Sequence, residues 1–460
     1  MNQRQPAVAT TEQRRRPAQV RRARPSSGSW WEELISSVEW TPGFVGFLYY
    51  IFVIITYWLP GADIAIVLVL VSILMRPQDW RMCPFLWIFG AFAGWCVLSY
   101  LSSVYKDVAW EQTNAVLKTW LIMFAAYNVI RTRAQLRMFL AFAIACFMLF
   151  PTRGAFINHF GGYNVMGRAL WNFAYANPND LAAYALLIAS MACAFFFIVR
   201  HSSLRLAAVG AVGALLLLIF YTQSRGALVA AGVVGLVVLI ANRKNTRVLI
   251  GAVALTGAAV IFAPKGAFDR ITRLAGASAS TGFRGADSEG SAEQRYQLLQ
   301  VAVAVARDNP AFGVGPGAYS IAHGIYARAR RAELPAAGGN RDPHNTVMRT
   351  LAETGWIGLG LFVAMIAGAW ARAYAVQRQL RAFKKPSDPV IRYLAFGLLA
   401  YMIAGLFGSF TYLNVLYLQI ALLEVAMTLS KGTMPRAVQS AIAPRERLRP
   451  VLRRASLRDT

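Results

Sequence analysis

The residue best placed to move a proton in this chain is a histidine at the junction of a polar loop and an apolar helix. It lies in Arg341-Asp342-Pro343-His344-Asn345, directly ahead of the run from Thr346 to Phe362. Asp342 suits an N-cap, and Pro343, with no amide hydrogen to lose, suits the first helical position, so His344 is expected in the first helical turn. There the free amides and the positive helix end disfavour the imidazolium and keep the ring neutral, fit to accept a proton from a hydroxyl. Two arginines could hold negative charge. Arg225, in Thr222-Gln223-Ser224-Arg225-Gly226, sits between two apolar runs, where an arginine is costly unless it is paired or faces a wet cavity. Its ordinary alternative is an interfacial side chain reaching lipid headgroups. Arg295 follows the capping-box pattern Ser291-Ala292-Glu293-Gln294, which opens a helix expected to stop at Asn309-Pro310. Arginines on such helices are more often simply solvated.

Other charged residues have plainer readings. Arg349 and Glu353, four apart, read as a structural pair on one helix face. Asp63 lies beside an outer membrane edge, and Glu424 is the better candidate for a carboxylate within the membrane. Cys83, Cys96, Cys146 and Cys193 show no paired or metal-ligand spacing, so neither a disulfide framework nor a metal site is expected.

The elements that must position these residues are membrane helices. The chain has 460 residues, 57% of them hydrophobic and only 15% charged, with a mean hydropathy of +0.44. That composition excludes an ordinary soluble protein. The formal net charge of +26 lies in the termini and in short loops between apolar runs rather than in an aromatic-rich basic domain, so nucleic acid is not an expected partner. Apolar runs between residues 43 and 430 amount to about 12 transmembrane helices. Residues 29–40 suggest a short interfacial helix with a capping box at Ser29, and residues 1–29 and 431–460 read as basic cytoplasmic tails, the first of them disordered.

Loop charge orients the chain. Alternate loops carry Arg76 and Arg81, then Arg131, Arg133 and Arg137, then Arg200 and Arg205, then Arg243, Lys244 and Arg247, then Arg372 to Arg392. The intervening turns hold almost only Lys106 and Arg225. This asymmetry places both termini in the cytoplasm and two long segments, about 151–179 and 265–343, on the outer side. The first is Gly-rich, and its Asn177-Pro178-Asn179-Asp180 caps the next span. The second begins with a mobile stretch, Gly276 to Gly290, and continues through the tight turn Gly313 to Gly317 and the basic Arg328, Arg330 and Arg331.

Taken jointly, these residues resemble the O-antigen ligase family, which shares its C-terminal module with O-antigen polymerases and with bacterial oligosaccharide transferases acting on proteins. The family pattern of His-Asn, nine residues, Gly, two residues, Gly is met by His344-Asn345, Gly355 and Gly358. Ser224-Arg225-Gly226, Arg295 ahead of Asp308-Asn309-Pro310 and Gly313-Val314-Gly315, and the segment Gly167 to Leu181 are similar to further family motifs, over roughly residues 130–430. The resemblance implies an all-α polytopic membrane protein of the C-type glycosyltransferase fold, with residues 30–430 as the transferase domain and 265–343 as a large periplasmic loop. It also implies metal-independent, cofactor-free transfer of a glycan from an undecaprenyl-diphosphate-linked donor to a glycan, lipid A-core or protein acceptor at the bacterial inner membrane. His344, Arg225 and Arg295 would be the catalytic residues, and Arg225, Arg295, Asn345, Arg168 and Arg341 would bind substrate. A polymerase or a protein O-oligosaccharyltransferase is the nearest alternative. A transporter of lipid-linked sugar, with Arg225 as counter-charge, is an alternative of another class, though no inverted repeat supports it.

Overall fold

The computed structural model describes residues 29–75, 77–243, 291–330 and 332–432 and, between 244 and 290, only residues 246, 251 and 257. The tails, the expected span at 247–263, the stretch Gly276 to Gly290 and Arg331 therefore fall wholly or mainly outside the described residues.

Among the described residues the protein is all helical. In chain order the helices are α1 (Trp30–Ile35), α2 (Pro42–Thr56), α3 (Ala62–Leu74), α4 (Pro84–Ser102), α5 (Lys106–Val129), α6 (Arg133–Phe147), α7 (Arg153–Phe160), α8 (Pro178–Ile198), α9 (Ser202–Thr222) and α10 (Arg225–Ala241). After the interruption come α11 (Ser291–Asp308), α12 (Tyr319–Ala329), α13 (Thr346–Ala382), α14 (Pro389–Gly405) and α15 (Asn414–Lys431). Five segments are long and apolar enough to cross a membrane, namely α4, α6 with α7, α8, α9 and α13, and four shorter apolar helices, α2, α3, α10 and α14, accompany them. The expected dozen spans are thus shown only in part.

Local chemistry accounts for many boundaries. Proline stands in the first turn of α2, α4, α8 and α14, where no amide partner is lost. Thr132 and Gln135 form a capping box on α6, and Asn177 caps α8 by accepting from the Asn179 amide at 2.8 Å, as expected. The box expected at Ser29 does not form. Ser29 makes no side-chain cap bond, although α1 itself is present. Instead, the neighbouring Glu33 carboxylate accepts the amides of Arg200 and His201. A π-helical turn, Met148–Thr152, contains Pro151 and carries α6 on into α7.

The loops gather in two groups, in the alternation that the charge pattern suggests. At one end Arg131 pairs with Asp79, Arg133 with Asp388, and the Arg137 guanidinium donates to the Glu33 carbonyl. At the other, Ser103 donates to the Val314 carbonyl, Arg168 to the Thr222 carbonyl, Asn345 to the Leu406 carbonyl, and Tyr57 stacks on Phe173. One set of charges expected in a loop lies in a helix instead. Arg372, Arg378 and Arg381 are not in a loop, because α13 continues to Ala382, and Arg372 bonds the buried Glu424 of α15, its Nε donating at 3.0 Å. Glu424 is therefore half of an ion pair within the helix bundle, which is how a charge inside the membrane is kept tolerable.

Candidate active site

The site is organised by a break in α13. Gly355 has φ 69° and ψ −173°, a backbone state open to glycine alone, and splits the helix into Thr346–Thr354 and a longer second part. A break strands carbonyl and amide groups that would otherwise bond along the helix. Each is taken up by a neighbour. The amides of Val314 and Gly315 donate to the carbonyls of Ala352 and Glu353 at 2.9 and 3.0 Å, and the Trp356 amide donates to the Pro310 carbonyl at 3.0 Å. From α4, Trp95 Nε1 donates to the Thr354 carbonyl at 2.8 Å, and Ser99 Oγ lies 3.0 Å from that of Glu353. Gly355 lets a second backbone approach closely, since a Cβ there would overlap that of Ala311. Gly358 differs. Its missing Cβ makes room for side chains, those of Thr354 and Trp95.

The first part of α13 is locked to α15's leading loop. Thr346 Oγ1 donates to the Gly408 carbonyl at 2.7 Å and accepts the Phe410 amide at 3.0 Å, while the Thr350 and Thr411 hydroxyls meet at 2.9 Å. Arg349 pairs with the fully buried Glu353 at 3.1 Å, as its spacing suggested, and also reaches Asp342 at 3.7 Å and lies over the Tyr412 ring at 5.4 Å. Asp342 is thereby held beside Arg349 and is not the helix cap. The cap is Asn345, whose side-chain oxygen accepts the Met348 amide at 3.0 Å while its amide group donates to the Leu406 carbonyl at 3.2 Å. His344 consequently lies just ahead of the helix rather than in its first turn. It adopts φ 49°, a left-handed conformation that a non-glycine residue rarely holds.

His344 is half-buried. Its imidazole titrates below the ordinary histidine value, chiefly through burial and then through the positive field of Arg295, with Arg341 and Arg168 acting in the same sense and Asp342 opposing them. The ring is therefore neutral near neutral pH, the outcome expected from sequence but for a different reason: desolvation and three guanidinium groups rather than a helix terminus.

Arg168 and Arg225 are positioned around the end of α9. Residues 165–168 form a hairpin whose arm runs along the end of α9. The Ala169 amide donates to the Tyr221 carbonyl at 2.8 Å, Arg168 Nε to the Thr222 carbonyl at 2.8 Å, and Gln223 Nε2 to the Gly167 carbonyl at 3.1 Å. A second Arg168 nitrogen donates to Asn179 Oδ1 at 2.8 Å. Two residues after Gln223, Arg225 opens α10 with Ser224 at the N-cap. A Cβ on Gly226 would lie 2.7 Å from that of Phe407, so α10 starts against the same loop that Asn345 grips through Leu406.

The structure thus sets Arg295, Arg341 and Arg168 within electrostatic reach of His344, and Arg225 at the start of α10, beside the Gly226 that packs on Phe407 of the 406–408 loop. It gives Asn345 a capping and bridging role. Asp342, Asn179 and Gln223 also border these residues, and residue type alone does not mark them, because their parts rest on tertiary contacts with Arg349, Arg168 and Gly167. Among the described residues no three His, Cys, Asp or Glu side chains gather as metal ligands would. No curated protein matches the chain. Residues 210–363, which run from within α9 through Arg225, Arg295 and His344 to Val363, match the O-antigen ligase family model. Over that segment, about a third of its length, the chain is similar to the O-antigen ligase family, a likeness that points to glycan transfer of the ligase or polymerase type.

Proposed function

We propose that the protein transfers a glycan from an undecaprenyl-diphosphate-linked donor to an acceptor hydroxyl on the periplasmic side of the bacterial inner membrane. The gathering of Arg295, Arg341 and Arg168 around the half-buried, neutral His344 carries this reading. Guanidinium groups bind phosphate oxygens in a planar, two-pronged way, and a concentration of them suits a diphosphate leaving group. As the acceptor oxygen bonds the anomeric carbon, the bond from that carbon to the diphosphate oxygen breaks and its electron pair leaves with the diphosphate. The acceptor proton passes to the neutral imidazole of His344. Arg225 and Arg295 hold the departing charge, Arg168 and Arg341 bind the donor beside them, and Asn345 fixes His344 by capping α13. Donor binding also prepares the base. The incoming diphosphate offsets the positive field on the imidazole and raises its affinity for a proton when one is to be accepted.

The division of labour is testable with purified variants. Losing a charged hydrogen bond to phosphate costs about 1.5–3 kcal/mol, so Arg225→Ala and Arg295→Ala should weaken donor binding as well as turnover. His344→Ala should lose roughly 10² to 10⁴ in single-turnover transfer while donor affinity stays close to wild type. Transfer by His344→Ala within about threefold of wild type would remove the base from the mechanism.

A further inference from the structure

The hairpin that carries Arg168 breaks a local rule. The Val165 and Arg168 backbones exchange hydrogen bonds of 3.3 and 3.0 Å around a two-residue turn, Met166-Gly167, whose central residues have φ 53° and 74°. A turn with both central φ values positive favours Asn or Asp ahead of Gly, and a methionine there holds a conformation that disfavours it. The same methionine is 88% exposed, and Val165 is 51% exposed. Tyr163 and Phe160, also exposed, extend the apolar surface. An unfavourable turn residue that presents a bare apolar side chain calls for a ligand.

We infer that Val165 and Met166 seat the first isoprene units of the donor's polyprenyl chain, a reading that rests on the donor proposed above. In a polyprenyl diphosphate the hydrocarbon begins at the phosphate oxygen itself, so a matching surface must pass from cation to apolar side chain within one or two residues. This hairpin does so. Arg168 faces the His344 cluster at its base, and the Gly167 carbonyl is bonded to Gln223, two residues ahead of Arg225. The apolar tip thus lies two residues from Arg168 in the chain, on a turn bonded to the segment that leads into Arg225. Saturated Val and Met side chains suit a hydrocarbon better than a sugar, which needs polar partners for its hydroxyls.

The test uses the full chain in detergent and two soluble probes, inorganic diphosphate and geranyl diphosphate, which adds two isoprene units to the same headgroup. Wild type should bind geranyl diphosphate more tightly by about tenfold, the scale of burying one such side chain. Met166→Asn, which suits the turn and should melt no lower than wild type, should abolish that preference while leaving inorganic diphosphate binding unchanged. Met166→Leu should retain the preference. If Met166→Asn still prefers the geranyl probe by the wild-type margin, the isoprene assignment fails while the donor reading stands. An effect confined to the Michaelis constant for acceptor also overturns the assignment, in favour of an acceptor contact. If wild type binds neither probe, the donor reading fails and the assignment with it.

Discussion

Gly355→Ala should abolish the proposed transfer from a position eleven residues beyond His344. The penalty has two sources. An alanine at φ 69°, ψ −173° occupies a region essentially closed to side-chain-bearing residues, at about 1–3 kcal/mol. Its Cβ would also overlap the Ala311 backbone and lie 2.7 Å from the Pro310 carbonyl oxygen, atoms of a loop pinned by three backbone hydrogen bonds to the break. Overpacking of this kind adds about 1–3 kcal/mol, so the two together reach roughly 2–6 kcal/mol, a large part of the stability of most folded proteins. Relief by movement of residues 310–315 would unseat the Val314 and Gly315 amides and disturb α11, which ends at Asp308 and carries Arg295. Gly360→Ala is the control in the same helix. A Cβ there meets nothing within 4 Å, and alanine should be neutral or favourable by up to about 1 kcal/mol. Gly358→Ala should fall between them, because its nearest neighbours are the side chains of Thr354 and Trp95 rather than backbone. The assay is denaturant unfolding of the detergent-solubilised variants beside glycan transfer. A Gly355→Ala protein within about 0.5 kcal/mol of wild type, with transfer intact, would show that the break is not what holds the site together.

Two further outcomes follow from the same geometry. Because burial and the arginine field depress the His344 pKa in the donor-free protein, kcat/KM should persist to more acidic pH than an ordinary histidine base allows. Asp342→Asn, which removes the opposing carboxylate, should move the acid limb of the pH–rate profile to lower pH, and Arg295→Gln should move it to higher pH; a limb unmoved by both would detach it from His344. The proposed orientation puts residues 265–343 outside the cytoplasm, so a reporter active only there should work when inserted at the exposed loop residue Gly339, and a reporter active only in the cytoplasm should fail.

The helical, apolar character and the candidate site side chains are legible in the sequence because both rest on residue type. Hydropathy identifies a span without its neighbours, and His344, Arg225 and Arg295 stand out by charge at junctions between apolar runs and loops. What it concealed depends on partners far along the chain. Asp342 and Asn345 are both good capping residues, and nothing local chooses between them. The choice comes from Arg349, which draws Asp342 aside, and from the Leu406 carbonyl, which takes up the Asn345 amide. Gly355 and Gly358 look alike as small residues in an apolar helix, yet only the first meets a backbone, that of Ala311, and only it breaks the helix. Arg372 looked like a loop charge until Glu424, 52 residues later, gave it a reason to be helical. The same logic explains how the break helps to position the site. An intact helix satisfies its own backbone, so nothing would oblige the 310–315 loop to bond there. Once Gly355 frees the groups around it, that loop becomes necessary to α13, and α11, which carries Arg295 and leads into the loop, is held against the helix whose first turn follows His344.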